Sequence, residues 1–295
     1  MTPLVDADVI LHELGWSGEF KDKETGEGVL LPPDQVLDMV DEKIKGICLD
    51  VEATEEPRLF VTDSEWLVRY DNKRLKRAGE PERTFVPNFR YSVAKTKPYK
   101  GNRKNPKPFH FYNILAHLLT HYDVVVSTDG YEADDMICIE QVKSNKEGVE
   151  TIICSRDKDL RICPGWHFSW ECGKQGAIYP TKTGPIGWLT PKYKEPKPGK
   201  EPTLDGVLGY GLSFFYYQML VGDSADHIPG LPGTGTVGAY SALKDLKSEE
   251  ELFQKVKQMY KDVMGDASKE YFLEQANLLW MVQEKGVGYA PPRFK

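Results

Sequence analysis

The sequence is poor in cysteine. The five it has, Cys48, Cys138, Cys154, Cys163 and Cys172, are odd in number, scattered and without a C-x-x-C pair. That argues against a disulfide framework and a structural zinc site, and a reducing cytoplasm is the expected compartment. No apolar run reaches the ~18–20 residues of a membrane span, so no membrane partner is expected. The opening Met1–Asp6 has neither the basic nor the apolar region of a leader and is expected to run directly into structure. Internal repeats are also lacking. One absence is local: residues 84–122 contain no acid, although the chain as a whole carries net charge −7.

What is present is ordinary in bulk and uneven in detail. At 295 residues, 40% hydrophobic and 28% charged, the chain is long enough for one large or two small globular domains. Leu4–Ile10 reads as a strand, Gly15 and Gly18 and then Asp22–Gly28 as turns. A helix is expected from Pro32–Pro33–Asp34, with Val36, Leu37, Val40 and Ile44 at helical spacing and Gly46 as its stop. Further strands are expected at Leu59–Thr62, Val124–Val126, Thr151–Ser155, Phe168–Trp170 and Ala177–Tyr179, and helices at Phe109–Tyr122 and Met136–Lys143. Residues 191–203 read as a linker or long surface loop, and the composition after Leu204 as helical. Strands alternating with helices predict an α/β fold, a mostly parallel central sheet with helices on both faces.

Acids gather at the ends of those strands: Asp6; Asp63; Glu132, Asp134 and Asp135; Asp157 and Asp159. Asp223 and Asp226 follow in a glycine-rich turn. Taken singly, a strand-end Asp is a turn former or helix cap, and Glu132–Asp135 can be the charge that opens a helix. Taken together, oxygen-only ligands suit Mg²⁺, with Mn²⁺ able to substitute, and nine carboxylates suit two ions rather than one. Two such ions are the usual device for hydrolysing a phosphodiester. With nine acids committed to metal, 36 would remain against 38 bases, so the rest of the surface would be slightly basic. Asp8, Asp50, Glu52 and Asp129 are read as ordinary acids.

The acid-free run interleaves Arg90, Lys95, Lys97, Lys100, Arg103, Lys104 and Lys107 with Phe85, Phe89, Tyr91, Tyr99, Phe109, Phe111 and Tyr112. Such a mixture can neutralise phosphates and stack unpaired bases, or be a solvated charged loop. Gly233–Gly238 matches the dinucleotide pattern G-x-G-x-x-G, but no strand precedes it. A glycine-rich turn between helices can instead offer backbone N–H groups to a phosphate through Gly233, Gly235 and Gly238. His117 and His121 lack the glutamate of H-E-x-x-H and are read as ordinary helix histidines.

Six blocks in order, Asp6, Phe60–Asp63, Tyr99–Arg103, Glu132–Asp135, Ser155–Asp159 and Gly222–Gly230, resemble the 5′-nuclease family of flap endonucleases, polymerase 5′-nuclease domains and phage 5′-to-3′ exonucleases. Thr62–Ser64 and Tyr99–Lys107 look most like the exonucleases of T-odd coliphages. The resemblance runs from Val5 to about Tyr240. It implies a PIN-like core over 1–203 with a helical arch or gateway at about 84–122. It implies a helical region over 204–295 with a helix–turn–helix duplex-binding element at about 222–240, often with bound K⁺. Asp6, Asp63, Glu132 and Asp134 would surround one Mg²⁺, with Asp135 through water; Asp157, Asp159, Asp223 and Asp226 would surround a second. Lys100 and Arg103 would be catalytic cations, Tyr99 a base-stacking residue, and Lys104 a further DNA contact. Val237 and Gly238 stand where the family carries a basic residue, which shifts duplex grip toward backbone amides. The activity implied is Mg²⁺-dependent 5′-to-3′ exonuclease or 5′-flap endonuclease action on DNA (duplex 5′ ends, nicks, flaps) by a monomer, in the host cytoplasm if phage-encoded. The alternatives are cleavage of RNA in RNA–DNA hybrids and non-catalytic binding of DNA structures.

Overall fold

The computed structural model describes residues 1–21, 24–196, 199 and 201–293. Strand β1 (Thr2–Asp6) leads directly into helix α1 (Ala7–Ser17). A small antiparallel hairpin, β2 (Glu19–Lys21) and β3 (Gly28–Leu30), follows. Next come α2 (Pro33–Asp50), β4 (Arg58–Val61), α3 (Glu65–Ala78) and the one-turn α4 (Arg90–Val93). The chain continues through α5 (Phe111–His121), β5 (Asp123–Val126), α6 (Ala133–Glu147) and β6 (Thr151–Cys154). Strands β7 (Gly165–Ser169), β8 (Ile178–Thr183), β9 (Trp188–Tyr193) and β10 (Leu204–Tyr210) precede four helices, α7 (Gly211–Val221), α8 (Thr236–Leu243), α9 (Glu249–Met264) and α10 (Ser268–Leu279).

These elements form two compact units, and neither is a continuous stretch of chain. The first comprises Met1–Phe89, Asn105–Asp157 and Trp166–Thr181; the second comprises Arg90–Lys104, Lys158–Gly165 and Lys182–Lys295. The described residues of 182–203 thus fall in the second unit with the helices after Leu204, as does Arg90–Lys104 of the acid-free run.

The first unit is built on a six-stranded sheet in the order β5-β4-β1-β6-β7-β8. The pairs β5–β4, β4–β1, β1–β6 and β6–β7 are all parallel, so the expected mostly parallel sheet is present. Leu4, Val5, Leu59, Val61, Ile152 and Cys154 are almost wholly buried, as strands covered on both faces require. From β1 the chain runs to β4 and β5 on one side and to β6 and β7 on the other. The reversal of order beside β1 opens a crevice at the carboxyl ends of the strands, the usual ligand position in open α/β sheets.

Several local expectations are corrected. The first strand ends at Asp6, not Ile10, because Asp6 Oδ1 accepts the Val9 N–H at 3.3 Å and starts α1. Gly15 is not a turn; it lies inside α1, where a Cβ would stand 2.6 Å from Pro108 Cβ, so it permits a close approach. Gly46 does not stop α2. It faces open space, and Ile47 continues the buried stripe of Val36, Val40 and Ile44. Helix α3 has no counterpart in the sequence reading, because only Leu67 and Val68 of its 14 residues are buried. Asp22 and Lys23, in the turn read from composition, lie outside the described residues.

In the second unit, β9 and β10 pair as an antiparallel ribbon, so residues 191–193 are strand rather than linker and the chain after Leu204 is first strand, then helix. Lys197, Pro198 and Lys200 of that proline-rich stretch lie outside the described residues. Helix α7 is buried on nearly every side through Phe214, Phe215, Tyr216, Met219 and Leu220, and so carries little amphipathic signal. Segment 90–96 is pinned against α10. The buried Arg90 guanidinium donates to the carbonyls of Leu278 (3.1 Å) and Trp280 (2.7 Å), and Glu274 accepts the Lys95 and Thr96 N–H groups at 2.7 Å. Within 84–104 the helical part of the expected arch is confined to α4.

Candidate active site

In the first unit the acids converge on the carboxyl ends of the parallel strands. Asp6, the last residue of β1, is 1% exposed. Its Oδ2 accepts the Ser155 hydroxyl at 2.6 Å from the end of neighbouring β6, and Ser155 Oγ in turn accepts the Asp157 N–H at 2.9 Å. Burial, reinforced by repulsion from Asp8 and then Asp157 and opposed by the Ser155 hydrogen bond, pushes the Asp6 carboxyl well above the usual carboxylate range.

The strand beside it is tied in by Thr62. Its N–H donates to both Asp8 oxygens at 3.2 Å, and its hydroxyl accepts the Ala133 N–H at 2.9 Å, fixing the start of α6. Asp63 follows, its N–H held by Ser127 Oγ at 2.9 Å just beyond β5. Its carboxylate is gripped by both terminal nitrogens of Arg83, at 2.7 and 3.0 Å, and Arg83 also pairs with Asp71 at 2.7 Å.

Glu132, Asp134 and Asp135 open α6. Asp135 is wholly buried and its Oδ2 accepts the Glu132 N–H at 3.1 Å, so this carboxylate is a helix-start cap. The helix-start reading of the cluster is thus observed, at the sheet edge where Asp6 and Asp63 also lie.

In the second unit the acids sit on cations. Lys158 Nζ reaches Asp159 Oδ1 at 3.1 Å and also contacts Asp223, while Gln218 donates to Asp159 at 2.5 Å. Burial opposes ionisation of Asp223, but Lys158 and the Ala225 N–H outweigh it and hold its carboxyl below the ordinary value. Asp226 accepts the Tyr99 hydroxyl at 2.9 Å and Arg103 at 2.5 Å, with Lys100 Nζ at 3.9 Å. The predicted cations Lys100 and Arg103 therefore meet a predicted ligand. Tyr99 is corrected: at 5% exposure its ring is enclosed, edge-on to Tyr91, and is not available to stack on a base. Lys104 is exposed.

The loop that presents Asp223 and Asp226 is set by two glycines. Gly222 (φ +74°) and Gly230 (φ +66°) face one another so closely that a Cβ on Gly222 would lie 2.3 Å from the Ile228 carbonyl oxygen, and one on Gly230 would lie 2.3 Å from Gly222 N. Between them Asp223 and Ile228 exchange both backbone hydrogen bonds, at 2.8 and 2.7 Å. Segment 98–103 docks on this loop through Lys100 N–H to the Asp226 carbonyl (3.0 Å) and Asn102 Nδ2 to the Ser224 carbonyl (2.7 Å). Lys100 and His227 both adopt left-handed backbone, at φ +53° and +63°, which costs energy in residues with a Cβ and marks a conformation imposed by its surroundings. Gly235 is the residue before α8, Gly238 lies in its first turn, and Gly233 (φ +77°) precedes them.

Among the described residues, no three His, Cys, Asp or Glu side chains are arranged as a ready metal cage. The donor set nonetheless fits a hard divalent cation: it is all oxygen, and in the first unit Asp6 is buried against like charge. Arg83, Lys158 and Arg103 each place positive charge on a candidate ligand, and none of the three pairings is readable from sequence spacing. Asp8, read as an ordinary acid, accepts the Thr62 N–H, and Ser155, given no role in sequence, donates to Asp6. His117 pairs with Asp41 at 2.7 Å and His121 bonds its own helix, in line with ordinary helix histidines.

No protein-family model matches the chain. It is similar to DNA polymerase I of Bacillus subtilis, 28% identical over 191 residues covering 64% of this chain and 20% of the relative. It is equally similar to thermostable DNA polymerase I of Thermus thermophilus, 28% over 173 residues covering 57% and 18%. The chain thus spans about a fifth of the length of the curated relatives it matches. Among solved structures it resembles the D15 protein of T5 co-crystallised with metal ions (14% identity, TM-score 0.42, 95% of this chain and 99% of that one). It also resembles the catalytic core of Rad2 in complex with DNA substrate (12%, TM-score 0.41, 91% and 68%). The similarity to the two DNA polymerase I relatives is consistent with the resemblance that the motifs carry to a family that includes polymerase 5′-nuclease domains.

Proposed function

We propose that this protein is a divalent-metal-dependent 5′-nuclease that hydrolyses DNA phosphodiesters from a 5′ end or at a 5′ flap. The observation that carries the reading is the Asp6–Ser155–Asp157 chain at the reversal of strand order, a buried acid held against like charges where a cation would be stabilising. In the first unit Asp6, Asp63, Glu132 and Asp134 would hold one Mg²⁺ or Mn²⁺, with Asp135 fixing the helix that presents them. In the second unit Asp159, Asp223 and Asp226 would be carboxylates for a second ion, the set to which the sequence resemblance also assigns Asp157. When bound, such ions activate water and stabilise the leaving oxygen of a phosphodiester.

The chain's own residues supply the rest. Lys100 and Arg103, held on Asp226, offer positive charge to a phosphate. Ser155 orients Asp6, and Thr62 orients the start of α6. The amides around Gly233, Gly235 and Gly238 suit the backbone of duplex DNA without sequence preference, and K⁺ there is part of the same reading. Water attack at phosphorus would leave a 5′-phosphate on one fragment.

Digestion of end-labelled duplex, nicked and flapped DNA, with products sized, tests this. Cleavage is expected with Mg²⁺ and none with EDTA. No cleavage of any of these with Mg²⁺, or a clear preference for RNA–DNA hybrids, would overturn the DNA reading.

A further inference from the structure

Helix α3 escapes the sequence reading, yet it is the most cationic helix of the first unit. Its buried side is narrow, Leu67 and Val68, with Asp71 and Asn72 tied to Arg83. At 100° per residue, Trp66, Tyr70, Lys73 and Arg77 fall in one line along the opposite side, with Arg69 beside them. Arg69, Tyr70, Lys73 and Arg77 are all exposed. Among the described residues none of these three cations takes part in an ion pair.

The aromatic residues of this face are stacked. Trp66 lies between two tyrosines, 5.2 Å from Tyr70 at an interplanar angle of 15° and 4.9 Å from Tyr112 of α5 at 22°. Lys107 stands at the Tyr112 end, its Nζ 5.2 Å from that ring and 3.9 Å from Phe111. The other end of the column is Tyr70, 39% exposed, from which Lys73 and Arg77 continue along the helix.

We propose that this face is a binding platform for single-stranded DNA: an unpaired base stacks on Tyr70 as a fourth layer, and Arg69, Lys73 and Arg77 take the following phosphates. A ring column open at one end offers a π-face to any base but not to a closed base pair, and a line of unpaired cations matches a polyanion. Ser64, the residue after Asp63, caps the helix, so a strand on α3 is delivered to the sheet edge where the acids lie. This goes beyond the nuclease reading and does not need it, since binding is measured without cleavage.

The test is fluorescence anisotropy of labelled oligothymidylate with the full chain in EDTA, beside a blunt duplex of equal length. Tyr70→Ala is expected to weaken single-strand binding about fivefold or more, with duplex binding within about twofold and Tyr70→Phe restoring affinity. Replacing Arg69, Lys73 and Arg77 together by Gln should flatten the slope of log Kd against log salt for single strands by about 2. Unchanged single-strand affinity in Tyr70→Ala, an equal loss on duplex, or a loss that Tyr70→Phe does not restore would make the column a packing device and overturn the proposal. An unchanged salt slope in the triple variant would remove the cations from it.

Discussion

Two buried acids, Asp6 in the first unit and Asp223 in the second, are treated in opposite ways. In the first, Asp6 is buried, hydrogen-bonded to a neutral serine and surrounded by Asp8 and Asp157, and its carboxyl is pushed upward. In the second, Asp223 is nearly as buried but meets Lys158, and its carboxyl is held down. Asp226 is likewise met by Arg103 and Lys100. The same residue type at similar burial thus has its carboxyl pushed up at Asp6 and held down at Asp223. The difference is the cation supplied by the fold. An acid already paired with a cation is stable alone, whereas one buried against like charge gains most from an added divalent ion.

The largest effects should come from the acids themselves. Asp134→Ala and Asp157→Ala are each expected to lower cleavage by about a thousandfold or more while DNA binding in EDTA is retained. Full cleavage by either would remove it from the site.

Next is the loop that carries the neutralised set. Gly222→Ala is expected to cost about 2 kcal/mol or more, because the residue is at positive φ and its new Cβ would meet the Ile228 carbonyl. Urea unfolding measures this, and an unchanged midpoint would show that the loop is not rigidly closed.

Lys100→Ala is expected to slow the single-turnover rate about tenfold to a hundredfold, with affinity little changed. An unchanged rate would leave Lys100 as a structural partner of Asp226 only.

Arg83→Gln sharpens the comparison within the first unit, since Arg83 grips the candidate ligand Asp63. Freed from it, Asp63 should bind Mn²⁺ a few-fold more tightly, as read by calorimetric titration. Weaker binding would mean that Arg83 orients the carboxylate rather than competing for it.

The smallest effect is expected at Asp41, outside both sets. Burial opposes its ionisation, yet the Tyr122 hydroxyl (2.6 Å) and His117 (2.7 Å), with His121 nearby, hold its carboxyl below the ordinary value. A lowered folded-state value means that its contribution to stability is present above the unfolded value and is lost as pH falls through the folded one. Asp41→Asn should therefore flatten the acid limb of stability against pH slightly. A steeper limb would contradict the assignment.

Much of the candidate site could be read before the fold was seen. Short apolar runs ending in acids placed Asp6, Asp63 and Asp157 beside strand ends, and the parallel sheet put those ends along one edge. Glu132–Asp135 is ambiguous in sequence because a helix start and a metal site ask for the same residues; the structure shows the first role, Asp135 capping α6. The acid-free run misled in part. Arg90 looked like a phosphate contact but is buried on the α10 carbonyls, and the acids that run lacks, Glu274 and Asp226, reach it from far along the chain. Helix α3 escapes the sequence reading because its stretch is dominated by charged residues, with only Leu67 and Val68 buried.

By itself, then, the sequence determined the kinds of group and their order: strands ending in carboxylates, a basic aromatic segment, a glycine-framed acidic loop. Those are local properties, fixed by residue type and spacing. Only the tertiary structure decided which charges meet. The pairings Asp63–Arg83, Asp226–Arg103 and Asp223–Lys158 join residues 20, 123 and 65 positions apart. Electrostatic balance depends on distance in space and on burial, and neither is written in the order of residues.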